Sequence, residues 1–453
     1  MNDSRTIAAV ATPRGSGGIG IIRISGAAAG NCAEAVIGHI PRPRYAEYVP
    51  FRLEDGTVLD RGIALFFPSP HSYTGEDVLE LQCHGGPAVL DQLLEMVLHV
   101  PSVRHASPGE FTQRAFLNDK IDLVQAEAVA DLIEAGSVQA ARAAANSLQG
   151  EFSRTVNLLT EKLTDLRIFI EACLDFPDED GVDHLSSGDV SGHIGELLEN
   201  IRAVRRSAAN GAVLRDGMKI ALAGRPNAGK SSILNRLSGR DAAIVSDTAG
   251  TTRDVLREEI SIDGMPLKII DTAGLRETSE GVEKIGIERA WKEICGADRV
   301  LLVLDLTAGS GENRRIYQEV LSGIPDRSKL CIVMNKSDLE HASPADLFPG
   351  ETVITISART GEGIGELKEH LKKAMGYESN PEGLFTARRR HLDALDSTES
   401  CLLRAREQIL NNGSPELAAE DLRQAQEFLG EITGRFTSDD LLGKIFGSFC
   451  IGK

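Results

Sequence analysis

At 453 residues with a formal charge of −18, the chain is too long for one hydrophobic core and too acidic for a surface that coats nucleic acid at large. Its 42% hydrophobic and 26% charged residues are those of a globular protein of roughly two to four domains, not of a disordered or membrane-embedded one. Seven cysteines (Cys32, Cys83, Cys173, Cys295, Cys331, Cys401, Cys450) form no C-x-x-C pair and fit reduced thiols better than a disulfide or zinc framework.

The N-terminus, Met1 to Ile7, has no basic region leading into a long apolar core, so no secretory signal is expected. No apolar run anywhere reaches membrane-spanning length, and a cytoplasmic protein without membrane attachment is expected. From Met1 to Asn118, short apolar runs alternate with Gly and Pro turns, which predicts an α/β or α+β unit. Thr6 to Ala11, Ile19 to Ile24 and Asp77 to Cys83 read as strands. Gly15-Ser16-Gly17-Gly18-Ile19-Gly20 fits G-x-G-x-x-G, but it leads into a β-branched run instead of opening a helix. A tight loop is therefore expected there, not a dinucleotide site. His84 has no second ligand at metal spacing and is expected to be structural.

From Asp119 to Asp175 there is no proline, and Ile121, Val124, Ala128 and Leu132, then Leu159, Leu163, Leu166, Ile170 and Leu174, recur at helical spacing. Residues 119–215 are thus expected to be helical, interrupted by an acidic, turn-rich exposed loop from Phe176 to Gly188. Residues 216–377 carry the most informative pattern. Gly224-Arg225-Pro226-Asn227-Ala228-Gly229-Lys230-Ser231 matches G-x-x-x-x-G-K-[ST] between the strand-like Ile220 to Ala223 and a helical opening at Ser232. Glycines let the backbone wrap phosphate oxygens, and the helix N-terminus adds amide donors. Lys230 would reach the β- and γ-phosphates, and Ser231 would hold Mg²⁺.

The later motifs choose the nucleotide. Asp271-Thr272-Ala273-Gly274 ends an apolar run, placing a carboxylate where it reaches the metal shell and a glycine amide beside the γ-phosphate. Asn335-Lys336-Ser337-Asp338 closes the strand-like Leu330 to Met334. Asp338 can accept from N1 and the exocyclic amino group of guanine, a donor pair adenine lacks. Ser357-Ala358 would give a backbone contact to the base, and Thr251-Thr252-Arg253-Asp254 would supply Thr252 to Mg²⁺. A GTPase domain is expected. Where many small GTPases place a water-orienting glutamine after the glycine, this chain has Leu275, so another group must do that work. Arg253, Arg276, Glu280 and Glu283 are the nearby polar candidates, each of which could equally be a solvated switch residue.

Residues 378–453 return to helical spacing at Leu392, Leu395 and Leu402, then at Leu422, Ala425, Leu429 and Ile432. Helices on both sides of the nucleotide segment predict one discontinuous helical domain with the nucleotide domain inserted. Arg388-Arg389-Arg390-His391, the densest basic run, reads as a solvated helix start or a phosphate contact. Cys450-Ile451-Gly452-Lys453 fits a prenylation box poorly.

With Ser72-Tyr73-Thr74-Gly75-Glu76-Asp77, Cys83-His84-Gly85-Gly86, the stretch Gly109 to Asn118, the inserted nucleotide motifs and the terminal Cys-Ile-Gly-Lys, the chain resembles the MnmE (TrmE) family of tRNA-modifying GTPases over essentially its full length. The resemblance implies a multidomain fold. Its parts are an α+β tetrahydrofolate-binding and dimerisation domain (1–118), a helical domain in two parts (119–215 and 378–453) and an inserted Ras-like P-loop α/β GTPase domain (216–377). It implies a homodimer that works with the FAD-bearing flavoprotein MnmG (GidA) as a heterotetramer. Together they add an aminomethyl-type (carboxymethylaminomethyl) group to C5 of the wobble uridine of certain tRNAs. The one-carbon unit would come from 5-formyl- or methylene-tetrahydrofolate, held by Arg23, Glu80, Lys120 and Lys453.

The resemblance also implies potassium stimulation, with K⁺ held by Asn227, Ser246, Thr248 and Thr251. Ser246 and Thr248 depart from the Thr and Ile of the family pattern, which leaves only a backbone-oxygen role secure there. Glu283 would orient water indirectly, with Arg253, Asp254, Arg276 and Asp271 assisting. The GTP contacts implied are Asn227, Ala228, Gly229, Lys230, Ser231 and Ser232; Ser246, Asp247, Thr248, Ala249, Gly250, Thr251 and Thr252; Asp271, Thr272, Ala273 and Gly274; Asn335, Lys336 and Asp338; and Ser357, Ala358 and Arg359. Cys450 would be a nucleophile or merely a neighbour of the folate. The competing readings are a GTP-dependent ribosome-assembly or RNA-binding switch without folate chemistry and, less in keeping with the sequence, a membrane-remodelling GTPase.

Overall fold

The computed structural model describes residues 5–13, 15–175, 187–238, 257–271, 291, 294–339, 347–375, 384–412, 414–435, 439–450 and 452. The acidic stretch 176–186 and the predicted site residues Ser246, Asp247, Thr248, Ala249, Gly250, Thr251, Thr252, Arg253, Asp254, Thr272, Ala273, Gly274, Leu275, Arg276, Glu280, Glu283 and Lys453 lie outside them. The chain divides into two compact units, one of Met1–Ala130, Leu148–Ser191 and Cys401–Lys453, the other of Asp131–Ser147 and Gly192–Ser400.

The first unit is built on β1 (Thr6–Val10), β2 (Gly17–Ser25), β3 (Glu47–Arg52), β4 (Val58–Phe67), β5 (Val78–Gly85) and β6 (Val103–His105), in the order β3-β4-β5-β2-β1-β6. Among the described strand pairs of this sheet, β1 and β6 run parallel and the others antiparallel. Side chains alternate across a strand, so Ile22 and Ile24 of β2 share one face with Leu79 and Leu81 of β5. They pack there under α1 (Ala29–Ile37) and α2 (Pro87–Leu98), which contribute Cys32, Val36, Leu90 and Leu93. Gly20 sits within β2, and a Cβ there would stand 2.7 Å from the Leu90 side chain. The packing of α2 demands this glycine, so the G-x-G-x-x-G string makes a strand and no dinucleotide loop. Gly17 and Gly18 are thus strand where a tight loop was expected, and the strand expected from Ile19 to Ile24 is present.

The opposite sheet face carries Arg23 and Glu80, and Ile7 and Ala9 pack there against Phe111 of α3 (Glu110–Leu117). Beyond α3 come α4 (Leu123–Ile133), α5 (Val138–Leu148) and α6 (Glu151–Asp175). Leu159, Leu163, Leu166 and Ile170 of α6 are buried as their spacing predicts, whereas Leu132, in the last turn of α4, is partly exposed. Gln426, in the helix Pro415–Thr433, binds α6 through Thr164 Oγ1 at 3.0 Å and Arg167 at 2.5 Å. The C-terminal helix Asp439–Gly447 closes a further core in which Phe446 and Phe449 meet Leu123 and Ala126.

The second unit holds a six-stranded sheet in the order β12-β11-β10-β7-β9-β8. The strands are β7 (Met218–Ala223), β8 (Arg257–Ile262), β9 (Met265–Asp271), β10 (Arg299–Asp305), β11 (Leu330–Asn335) and β12 (Thr352–Thr355). All pairs are parallel except β8 with β9. Strands buried on both faces read as continuous apolar runs, which is why Leu330 to Met334 carries no alternation. One face packs on Ile233 and Leu237 of α8 (Lys230–Ser238) and on Leu367 and Leu371, and Ala143 of α5 joins that core. The other packs on Ile294, Ile316 and Phe348.

Arg215, at the end of α7 (Ser187–Asp216), and Arg388 both donate to Asp131 Oδ1, at 2.8 and 2.9 Å. This node corrects the reading of the basic run as a solvated helix start. Arg388 is paired and His391 is buried with Nδ1 accepting from the Arg388 amide at 3.0 Å, while Arg389 remains exposed. Among the described residues, no helix is long and apolar enough to cross a membrane.

Candidate functional site

The described nucleotide-motif residues gather at the carboxyl ends of β7, β9, β10 and β11. The chain steps from β7 to β9 on one side and then to β10 on the other, and parallel sheets open a ligand crevice at such a reversal. Gly224 leaves β7 with φ +138, and a Cβ there would lie 2.3 Å from the Val303 carbonyl oxygen, so only glycine lets the loop pass. Asn227 takes φ +62, a left-handed conformation that asparagine tolerates. Lys230 opens α8 and is only 5% exposed. Its ammonium donates to the carbonyls of Gly224 and Arg225 at 2.8 and 2.9 Å. The cation is thereby held over the hollow of the loop, beside the amides of the helix N-terminus, a setting for an anion. Ser231 and Ser232 stand in the first turn of α8, Ser232 exposed, and Ala228 is buried.

Asn335 joins two parts of the site. It is 3% exposed; its Nδ2 donates to the Ala228 carbonyl at 2.8 Å, and its Oδ1 accepts from the Ala358 amide at 3.0 Å. One side chain therefore ties the phosphate loop to the loop after β12. Asp338 accepts from the Ser357 hydroxyl at 2.7 Å, which orients its carboxylate, and Arg359 approaches the same carboxylate at 3.9 Å. Lys336, at φ +72, forms an ion pair with Asp305. Burial pushes the Asp305 carboxyl up, but the bonds from Lys336 and from the Thr307 hydroxyl and amide outweigh it and hold the group below the usual carboxylate range. Asp271 ends β9 in register with Leu222, next to the start of the phosphate loop.

In the first unit the described candidates are Arg23, Glu80 and Lys120. Arg23 and Glu80 are direct cross-strand partners, with Nε donating to Oε1 at 2.9 Å. The guanidinium lies 5.8 Å from the ring centres of both Tyr73 and Phe111. Burial raises the Tyr73 hydroxyl's pKa, against the lowering effects of Thr112 and Arg23. Lys120 Nζ donates to the Pro70 carbonyl at 2.9 Å, on the loop that carries Tyr73. Gly452, at φ +98, lies so close to β1 that a Cβ would stand 2.3 Å from the Val10 carbonyl oxygen. Val10 pairs with Ile22 and Ala9 with Arg23, so the C-terminal tail runs beside the strand next to the Arg23–Glu80 pair. Cys450 is exposed, and its carbonyl accepts from the Gly109 amide at 3.4 Å.

Sequence reasoning passed over Asp305 and Arg236, which the fold brings to the nucleotide site. Asp305 had a signal, a carboxylate at the end of an apolar strand run. Arg236 had none.

The chain matches the family models for the GTP-binding protein TrmE N-terminus over residues 6–120 and for the MnmE helical domain over residues 123–450. Among solved structures it is similar to the G domain of the FeoB iron transporter of T. maritima, at 30% identity over 35% of this chain and 98% of that one, with a TM-score of 0.28. It is also similar to a point variant of Aquifex aeolicus Era bound to GDP and AlF4⁻, at 25% identity over 41% of this chain and 67% of that one, with a TM-score of 0.28. A phosphate loop of this build within the residues that match the MnmE helical domain, preceded by those that match the TrmE N-terminus, places the chain in the MnmE (TrmE) family, as a GTP hydrolase of tRNA modification.

Proposed function

We propose that the chain is a potassium-stimulated GTPase that dimerises, works in the cytoplasm with the flavoprotein MnmG, and modifies C5 of the wobble uridine with a one-carbon unit from tetrahydrofolate. In this reading residues 1–118 bind folate and the dimer partner, 119–215 and 378–453 form the helical domain, and 216–377 hydrolyse GTP. The supporting observation is the convergence in the first unit of residues from distant parts of the sequence. Arg23 and Glu80 form one rung, Lys120 bonds the loop of Tyr73, and Gly452, just before Lys453, lies against the neighbouring strand. The donor set fits the cofactor: carboxylates of a folate tail suit Lys120, Lys453 and Arg23, and a pterin edge offers donors to Glu80. The Arg23→Ala variant is expected to lose binding of 5-formyltetrahydrofolate by at least tenfold in calorimetry, the scale of a charge-assisted pair. Affinity unchanged from the unsubstituted chain would remove Arg23 from the folate site. Mass spectrometry of tRNA nucleosides from cells with and without the protein tests the reaction itself, and wobble-uridine modification left intact on deletion would end the proposal.

In the nucleotide site, Ser231 and Thr252 would ligate Mg²⁺ and Asn227 would lead the potassium ligands, with Ser246, Thr248 and Thr251. A monovalent cation beside the phosphates supplies positive charge where negative charge develops. Glu283 then takes over the water-orienting task that Leu275 leaves open, with Arg253, Asp254, Arg276 and Asp271 assisting. Glu283→Ala is expected to cut GTP turnover in potassium buffer by about 10²-fold or more, the scale of a positioned acid–base group, with GDP affinity retained. Turnover at the unsubstituted rate would take Glu283 out of the mechanism. Exchange of K⁺ for Na⁺ should lower turnover independently of that substitution.

A further inference from the structure

Guanine presents two donors, N1–H and the exocyclic amine, beside an acceptor, the 6-oxo oxygen. Asp338 answers the donors, so the acceptor needs an N–H, and the loop Ser357–Arg359 can offer the Arg359 amide, its Ser357 and Ala358 amides being bonded to Glu362 and Asn335. Such a contact requires the loop to be placed within a few tenths of an ångström.

Three features hold the loop. It is folded on itself, with the Ser357 amide donating to the Glu362 carbonyl at 3.0 Å and the Gly361 amide to the Ser357 carbonyl at 2.8 Å. Asn335 takes the Ala358 amide at 3.0 Å. The third is Arg236, on the same helix that Lys230 opens. Its Nε donates to the Ala358 carbonyl at 2.9 Å, and a terminal nitrogen donates to the Arg359 carbonyl. Ala358 is thus held at its amide by the Asn-Lys-x-Asp strand end and at its carbonyl by the helix that carries the phosphate loop.

We propose that Arg236 is a positioning residue for guanine recognition, a brace between α8 and the base loop that sets where the loop's Arg359 amide meets the 6-oxo group. Resting on the GTP reading of the site, it adds a residue outside the recognised motifs. The planar guanidinium suits the task, because its rigid fork fixes two successive carbonyls in one geometry, where an ammonium on a flexible stem holds them as a rotatable point charge. The brace also couples the two ends of the ligand. A phosphate that settles α8 settles the loop that receives the base.

The experiment compares GDP with 6-thioguanosine diphosphate, which keeps N1–H and the exocyclic amine but replaces the 6-oxo oxygen by a weakly accepting sulfur, on the full chain and its Arg236→Ala and Arg236→Lys variants. Arg236→Ala is expected to raise the Kd of GDP about three- to tenfold, the scale of one charge-assisted hydrogen bond partly open to solvent. The Kd of the 6-thio nucleotide should stay nearly unchanged, and Arg236→Lys should fall between. Melting temperatures of the variants, taken alongside, register any loss of folding. Equal weakening of both nucleotides, as a merely structural arginine would give, overturns the proposal, as does an unchanged GDP affinity. Failure of the unsubstituted chain to prefer GDP over ADP would instead overturn the guanine reading on which the proposal rests.

Discussion

Asn335→Ala is expected to weaken binding of both GDP and GTP about a hundredfold. The substitution strands the Ala228 carbonyl and the Ala358 amide, each currently bonded to one buried side chain. Leaving a buried polar group unpaired costs about 1–3 kcal/mol. The nucleotide-free chain escapes this by letting the two loops part and hydrate, so closing them on the nucleotide carries about 3 kcal/mol for the two groups, which is two decades in Kd. The loss should fall on affinity for both nucleotides alike, because neither bond touches the γ-phosphate. Asn335→Asp should do no better. It keeps the acceptor for Ala358 but faces the Ala228 carbonyl with a second acceptor. Calorimetry with GDP measures this directly, and an Asn335→Ala chain within threefold of the unsubstituted affinity would show that the bridge between the two loops is dispensable.

Arg114→Ala is expected to destabilise the first unit by about 3–5 kcal/mol, the cost of removing one partner from a buried ion pair. Arg114 is 7% exposed, as is Glu110. The guanidinium bonds Glu76 at 3.0 Å, Glu110 at 3.0 Å and the Arg5 carbonyl at 2.8 Å, and Glu76 in turn accepts from Ser25 at 2.7 Å. Without it, two carboxylates remain beside one another with only Arg104 to neutralise Glu110.

The network also sets a pH dependence. Burial raises the Glu110 carboxyl, but bonds from Arg104, the Ser107 amide and Arg114 outweigh it, so its pKa lies below the ordinary 4.5. A carboxylate with a depressed folded-state pKa contributes stability above its unfolded value and loses it as pH falls through the folded one. The unsubstituted chain should therefore lose stability below about pH 4.5, and Arg114→Ala should flatten that dependence. Urea unfolding followed by circular dichroism, at neutral pH and again about one unit below that threshold, reads both effects. A variant as stable as its parent at neutral pH would mean the network is solvated.

The nucleotide site was legible because its chemistry is written in short contiguous strings, each at the end of an apolar run. A loop that must pass near β10 needs glycine at 224, and a helix that must start on phosphate needs Lys230 and Ser231. What the strings concealed were the bonds between them. Asn335 reads as part of a base-recognition motif, yet its side chain spans to Ala228 and Ala358. Arg236 reads as one more charge on an amphipathic helix. The Arg388 to His391 run misled because local charge density says nothing of a distant partner, here Asp131, whose position depends on the fold. At Gly20 the strand was legible, but not the need for glycine, which comes from Leu90 on a helix far along the chain. The buried stripe of α6 was plain from its period, whereas the pairing of its Thr164 and Arg167 with Gln426 was not.

The core in which Leu123 and Ala126 meet Phe446 and Phe449 bears on how the protein is made. A ribosome adds about 5–20 residues per second, so tens of seconds separate the emergence of the two halves of that core. The sheet of the second unit, by contrast, runs from Met218 to Thr355 without needing either terminus. The nucleotide unit can therefore be finished on the ribosome while the unit begun first waits, its apolar α4 face uncovered, for the last residues of the chain. The sheet core of that unit, complete within residues 8–103, is spared this wait; the α4 face is the part that closes last.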